Sequence, residues 1–142
     1  MIKPLMAMRV MLADDNAPVR RTLRSLLERE GFEVVGEAAD GKQAVSLADK
    51  HRPDVILLDL SMPCLNGIEA ARQIHKLIPG ARTIILTVHR DYHYVAQALE
   101  AGVRGYILKG RAGEELAKGV HEVAKGKLFL SRGLPQKLGQ AS

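Results

Sequence analysis

Short apolar runs alternate along this chain with longer stretches in which apolar residues recur every three to four positions. The runs MRVMLA (8–13), EVVGEA (33–38), DVILL (54–58), RTIILT (82–87) and GYILK (105–109) have strand length and are rich in β-branched residues. Helical spacing appears in Val19, Leu23, Leu26 and Leu27, in Val95, Ala98 and Leu99, and in Leu116, Val120 and Val123. Punctuation marks the borders. Asn16 with Pro18, Asp40 with Gln43 and Asn66 with Glu69 predict helix starts, and Gly31, Gly102 and Gly126 predict helix stops.

Strands that are nearly continuous in apolar residues, each followed by a helix, predict a parallel sheet covered on both faces, because each right-handed crossover lays a helix over it. The expected fold class is α/β, a doubly wound five-stranded parallel sheet with helices on both faces. Its domain spans residues 8–126, between an N-terminal extension (1–7) and a basic C-terminal tail or linker start (127–142). Ligands of such sheets bind beyond the carboxyl ends of the strands, at the switch in strand order.

Composition narrows the class. The 142 residues, 46% hydrophobic and 26% charged, suit one globular domain with a sizeable core. No run approaches the roughly 18 apolar residues that span a bilayer. The seven residues ahead of the first strand are too few for a signal peptide, so the expected location is the cytoplasm, with no membrane partner. The single cysteine, Cys64, forms no internal disulfide. Net charge is +5 and unevenly placed: residues 1–102 carry 13 basic and 13 acidic side chains, residues 103–142 carry 8 and 3. A basic end suits an acidic partner or nucleic acid, and equally a solvated surface.

The strand ends gather the chemistry. Asp14 and Asp15 follow the first strand, Asp59 the third, Thr87 closes the fourth and Lys109 the fifth. Singly, each reads as a turn former, a cap or a snorkelling lysine. Together they bring three acids, a hydroxyl and an ammonium to one edge. Carboxylates about 4 Å apart repel by roughly 4 kcal/mol per pair at an effective dielectric of 20, so the group calls for a cation. An all-oxygen site with room for water suits Mg²⁺. A divalent ion, Lys109 and Thr87 around Asp59 could hold the oxygens of a phosphoryl group, with the carboxylate as nucleophile.

The set Asp14–Asp15, DLSMPCLNG from 59, LTVH at 86–89 and GYILK at 105–109 resembles the receiver domain of two-component response regulators. The similarity runs over about residues 8–126. ALEAGVRGYILK (98–109) and LFLS (128–131) bring it nearest to the NarL/LuxR-type subfamily. The resemblance implies the flavodoxin-like receiver fold, with Asp59 accepting a phosphoryl group from a sensor histidine kinase. It implies Mg²⁺ bound by Asp15, Asp59 and the Ser61 carbonyl, with Asp14 acting through water. Thr87 and Lys109 would hold phosphoryl oxygens, and Tyr106 stands at the switch-aromatic position, expected to turn inward as Thr87 moves. The face formed by the fourth helix, fifth strand and fifth helix, with Arg90, Tyr94, Arg104 and Lys118, is the expected readout surface, and a second copy of the chain its expected partner. Ser61 and His89 are expected to govern water's access to the acyl phosphate.

Two departures stand out. Many receivers follow the lysine with proline or an acid, whereas Gly110 and Arg111 stand here, which leaves the loop geometry open. The subfamily's helix-turn-helix output domain needs about 60 further residues, and only GKLFLSRGLPQKLGQAS (126–142) remains. Two expectations follow: part of a longer regulator that controls transcription, with DNA reached only through the output domain, or a free-standing receiver acting through protein contacts. A receiver modified once and then slowly hydrolysed is not a turnover enzyme.

Rival chemistries fare worse. An aspartate-nucleophile phosphatase resembling a haloacid dehalogenase needs a second Asp two positions on, where Ser61 stands. A nucleotide-binding module needs a glycine-rich first loop, and DDNAP is acidic. His89 and His93, placed four apart on the fourth helix, read as a solvated face rather than a metal pair. Cys64 reads as a small space-filling residue. Arg20, Arg21 and Arg24 fit either a kinase contact or ordinary ion pairs on the first helix.

Overall fold

A computed structural model describes residues 7–134. The strands are β1 (Arg9–Ala13), β2 (Glu33–Ala38), β3 (Val55–Asp59), β4 (Thr83–Thr87), β5 (Gly105–Leu108) and β6 (Phe129–Leu130). The helices are α1 (Ala17–Arg29), α2 (Gly41–His51), α3 (Gly67–Leu77), α4 (Tyr92–Glu100) and α5 (Ala112–Ala124). All pairings are parallel, in the order β2-β1-β3-β4-β5-β6.

The sheet therefore has six strands, not five. The sixth comes from LFLS, inside the segment expected to be tail: Phe129 and Leu130 pair with Gly105 and Tyr106. Two residues are too few to give a strand signal by periodicity, and the β5 edge supplies the missing hydrogen-bonding partner. Residues 1–6 of the expected N-terminal extension and 135–142 of the expected tail lie outside the described residues.

Alternation along the central strands sorts the core into two layers. Val10, Leu12, Val55, Leu57, Ile84, Leu86 and Ile107 pack with Leu23, Leu27, Leu116 and Val120 of α1 and α5. Met11, Ile56, Leu58, Ile85 and Tyr106 pack with Ala44, Ile74, Val95 and Ala98 of α2, α3 and α4. Each buried aliphatic side chain contributes roughly 1.5–3 kcal/mol, which is ample to align the four central strand ends.

The helix borders fall where the capping residues predict. Asn16, Asp40 and Asn66 accept hydrogen bonds from the backbone N–H of Val19, Gln43 and Glu69, and Gly102 closes α4 in a left-handed conformation, φ 97°. His89 proves to precede α4 rather than lie on it, because the helix starts only after Asp91. Among the described residues no helix is long and apolar enough to cross a membrane.

Candidate functional site: an acidic cluster at the carboxyl edge of the sheet

Strand register assembles the site. Ala13 lies beside Leu58, Asp59 beside Leu86, and Thr87 beside Leu108, so the residues that end or follow these strands emerge in one row. Reversal of strand order between β1 and β3 opens the crevice there. Each of β3, β4 and β5 is buried along its whole length, which fixes the backbones that carry Asp59, Thr87 and Lys109.

Asp14, Asp15 and Asp59 each present a carboxylate oxygen within 4.8 Å of the others. Asp14 and Asp59 are buried, at 1% and 6% exposure, whereas Asp15 is exposed. Lys109 Nζ stands 2.9 Å from Asp14 Oδ2 and 3.3 Å from Asp59 Oδ1. Asp14 Oδ2 is a buried carboxylate oxygen whose one close polar neighbour is this ammonium. The other oxygen, Oδ1, accepts from the Asn16 amide at 2.8 Å. Burial pushes the Asp59 carboxyl upward; Lys109 pulls it down, Asp14 pushes it up, and the net displacement is upward. Burial opposes the Lys109 charge, but the Asp14 and Asp59 carboxylates outweigh it and hold the ammonium above its ordinary value.

The donor set fits a hard divalent cation. Three carboxylates, one with a buried oxygen that meets only the Lys109 ammonium and one open to water, offer hard oxygens and room for retained hydration, as Mg²⁺ requires. The loop after β3 folds back closely on the strand end. Gly67 brings its N–H to the Leu60 carbonyl at 2.9 Å, and a Cβ there would fall 2.2 Å from the Asp59 carbonyl oxygen. Cys64 does not fill space as expected: it is exposed, in a left-handed turn conformation with φ 69°.

Ser61 is exposed; its backbone amide favours the charged Asp59 carboxylate, and its hydroxyl faces His89 Nε2 at 3.4 Å. Thr87 is buried and its Oγ1 accepts from the His89 amide at 3.1 Å. Tyr106 is wholly buried; its hydroxyl donates to the His89 carbonyl at 2.9 Å, and burial raises its pKa. The aromatic ring is thus inward, tied to the His89 backbone. His89 is the residue that sequence reasoning undervalued, since its backbone joins the Thr87 hydroxyl to the Tyr106 hydroxyl and no side-chain pattern signals a backbone role.

On α1, Arg20 pairs with Glu37 and donates to the Asp14 carbonyl, while Arg24 pairs with Glu28 and Glu37. Arg21 is exposed. Two of the three arginines therefore make internal ion pairs, and Arg20 steadies the backbone of the acid cluster.

Comparison with known proteins agrees with this geometry. Residues 10–121 match the family model of the response regulator receiver domain. The transcriptional regulatory protein DegU of Brevibacillus brevis is 37% identical over 122 residues, 85% of this chain and 52% of that protein. The response regulator UvrY of Escherichia coli is 36% identical over 130 residues, 91% of this chain and 60% of that protein. The chain thus spans a little over half the length of these curated relatives. A LuxR-family two-component response regulator from Aurantimonas sp. SI85-9A1 superimposes with a TM-score of 0.89 at 36% identity, over 94% of this chain and 96% of that one.

Proposed function

Because this chain belongs to the response regulator receiver domain family, we propose that its Asp59 accepts a phosphoryl group from a sensor histidine kinase and so switches a downstream output. The observation that carries this reading is the pairing of one lysine with two buried carboxylates, Asp14 and Asp59, at the mouth of the sheet. An Asp59 carboxylate oxygen forms the new bond to phosphorus as the bond from phosphorus to the kinase imidazole nitrogen breaks, and the departing imidazole regains its electron pair. Burial of the flanking strand aims Asp59 rigidly, so little orientation remains to be found at each encounter. Lys109 then exchanges a carboxylate oxygen for a phosphoryl oxygen, and the Thr87 hydroxyl donates to another.

Asp14, Asp15, Asp59 and the Ser61 carbonyl would hold Mg²⁺, which when bound neutralises the carboxylates and the phosphoryl oxygens. Ser61, two residues beyond Asp59, and His89, two beyond Thr87, face one another and stand where water must pass to hydrolyse the acyl phosphate. The chain loads once per cycle and is not a turnover enzyme.

Output is read on the face of α4, β5 and α5. As Thr87 turns toward the phosphoryl group its acceptor bond from the His89 amide is disturbed, and Tyr106, bonded to the His89 carbonyl, feels the same peptide segment move. A second copy of the chain is the partner for that face. Specific DNA contact belongs to an output domain beyond the receiver, which we place at residues 8–126 together with β6, and the cytoplasm is its setting. The test is to load the protein with Mg²⁺ and beryllofluoride, an acyl-phosphate mimic, and follow amide resonances and sedimentation. Shifts at Thr87, His89 and Tyr106 with altered self-association are expected, all absent from Asp59→Asn. A wild type that ignores the mimic would overturn the proposal.

A further inference from the structure

Besides Asp14 and Asp59, the carboxylate buried among the described residues is Glu115 on α5, 7% exposed and remote from the acid cluster in function. One of its oxygens accepts from the buried Ser131 hydroxyl; the other accepts from the Arg132 amide at 3.1 Å and from Arg111 Nε at 3.1 Å. Burial raises the Glu115 carboxyl, but Ser131, Arg132 and Arg111 outweigh it and hold it below the ordinary value. Ser131 is itself engaged on every side. Its amide donates to the Tyr106 carbonyl at 2.9 Å, and its hydroxyl oxygen accepts from the Leu108 amide at 3.0 Å.

These bonds flank Lys109 on both sides. Leu108, immediately before it, is held through its backbone amide by Ser131; Arg111, two residues after it, is held through its guanidinium by Glu115. Between them lies Gly110, where a Cβ would meet nothing within 4 Å and no ring stiffens the turn. A glycine there has more conformational freedom to lose than any other residue, so the 3₁₀ turn Lys109–Arg111, closed by the Ala112 N–H on the Lys109 carbonyl, gains from an external constraint.

We propose that Ser131 and Glu115 are positioning residues for Lys109: a buried clasp that fixes the lysine and, by the same bonds, couples the loaded state of Asp59 to the segment Phe129–Arg132. The coupling rests on the reading of Asp59 as phosphoryl acceptor. The clasp itself does not. Linkage requires reciprocity, so whatever the clasp does for Lys109, loading of the site does to the clasp.

Two measurements test it, on wild type, Ser131→Ala, Ser131→Thr, Glu115→Gln and Phe129→Ala. The last loosens β6 packing while leaving every polar bond of the clasp in place. In the unloaded protein, amide exchange at 109–111 is expected to quicken about tenfold in Ser131→Ala, the equivalent of one buried hydrogen bond. Ser131→Thr, which keeps the hydroxyl, recovers most of it, Glu115→Gln lies between, and Phe129→Ala stays near wild type. With acetyl phosphate and Mg²⁺ the wild type is expected to label at Asp59, and the apparent affinity for beryllofluoride to weaken at least about fivefold in Ser131→Ala. Beryllofluoride should change exchange at 129–132 in wild type and not in that variant. Unchanged exchange at 109–111 overturns the clasp, and so does an equal response from Phe129→Ala, which would make the effect general loosening. Should Ser131→Ala fail to fold, Glu115→Gln decides on the same readouts. Failure of wild type to label at Asp59 would strike the acceptor reading, while an altered 109–111 turn would still support the clasp.

Discussion

Replacing Lys109 with methionine removes the cation that stands 2.9 Å from Asp14 and 3.3 Å from Asp59. At an effective dielectric of 20 those contacts correspond to attractions of about 6 and about 5 kcal/mol. The carboxylate oxygens left behind lie within 4.8 Å of one another, where each like-charged pair repels by about 3.5 kcal/mol or more at the same dielectric. Proton uptake and water entry absorb much of this. The lysine side chain is 22% exposed, so the expected loss of unfolding free energy sits at the low end for a broken buried pair, about 3 kcal/mol. Urea unfolding in metal-free buffer at neutral pH measures it. Two further outcomes belong to the same cause: millimolar Mg²⁺ should restore part of the loss, because a second cation then serves the same oxygens, and Lys109→Met/Asp14→Asn should be more stable than Lys109→Met alone. A loss under about 0.5 kcal/mol, the range of an ordinary surface substitution, would refute the electrostatic account, as would a double variant no better than the single one.

Other outcomes follow from neighbouring contacts. Gly67→Ala should cost about 1–3 kcal/mol by urea unfolding and slow Asp59 labelling, since the new Cβ meets the Asp59 carbonyl oxygen at 2.2 Å, a backbone atom with nowhere to go. Tyr106→Phe should cost about 1 kcal/mol in thermal unfolding by leaving the His89 carbonyl without its donor. Glu115 carries a lowered pKa: the stability it confers is present above the ordinary value of 4.5 and is lost as pH falls through the folded value. Denaturation from neutral pH down through the acid limb should therefore show a shallower decline in Glu115→Gln than in wild type.

The order of strands and helices was legible because each element carries its own local signal: unbroken apolar runs for strands buried on both faces, and capping side chains at Asn16, Asp40 and Asn66 for helices. The acid cluster was legible for a related reason. In a parallel sheet all strand ends of one polarity share an edge, so naming the residues after each strand is almost enough to place them together. β6 escaped because its two residues pair only where β5 leaves an open edge, a property of the sheet and not of the segment. The Glu115–Ser131 clasp escaped for want of any spacing rule linking residues 16 apart on a helix and the loop beyond it. Nor could the inward, bonded Tyr106 be told from a half-buried tyrosine, since the difference lies in one backbone carbonyl at His89.

The central claim is that Asp59 is the phosphoryl acceptor, and site mapping tests it most directly. The protein is incubated with acetyl phosphate and Mg²⁺, the acyl phosphate is trapped by reduction, and the peptides are sequenced by mass spectrometry. The account predicts one modification per chain, on Asp59, dependent on Mg²⁺ and lost in Asp59→Asn. Undiminished labelling of Asp59→Asn, or a modification that settles on Asp14 or Asp15 while Asp59 stays free, would contradict it.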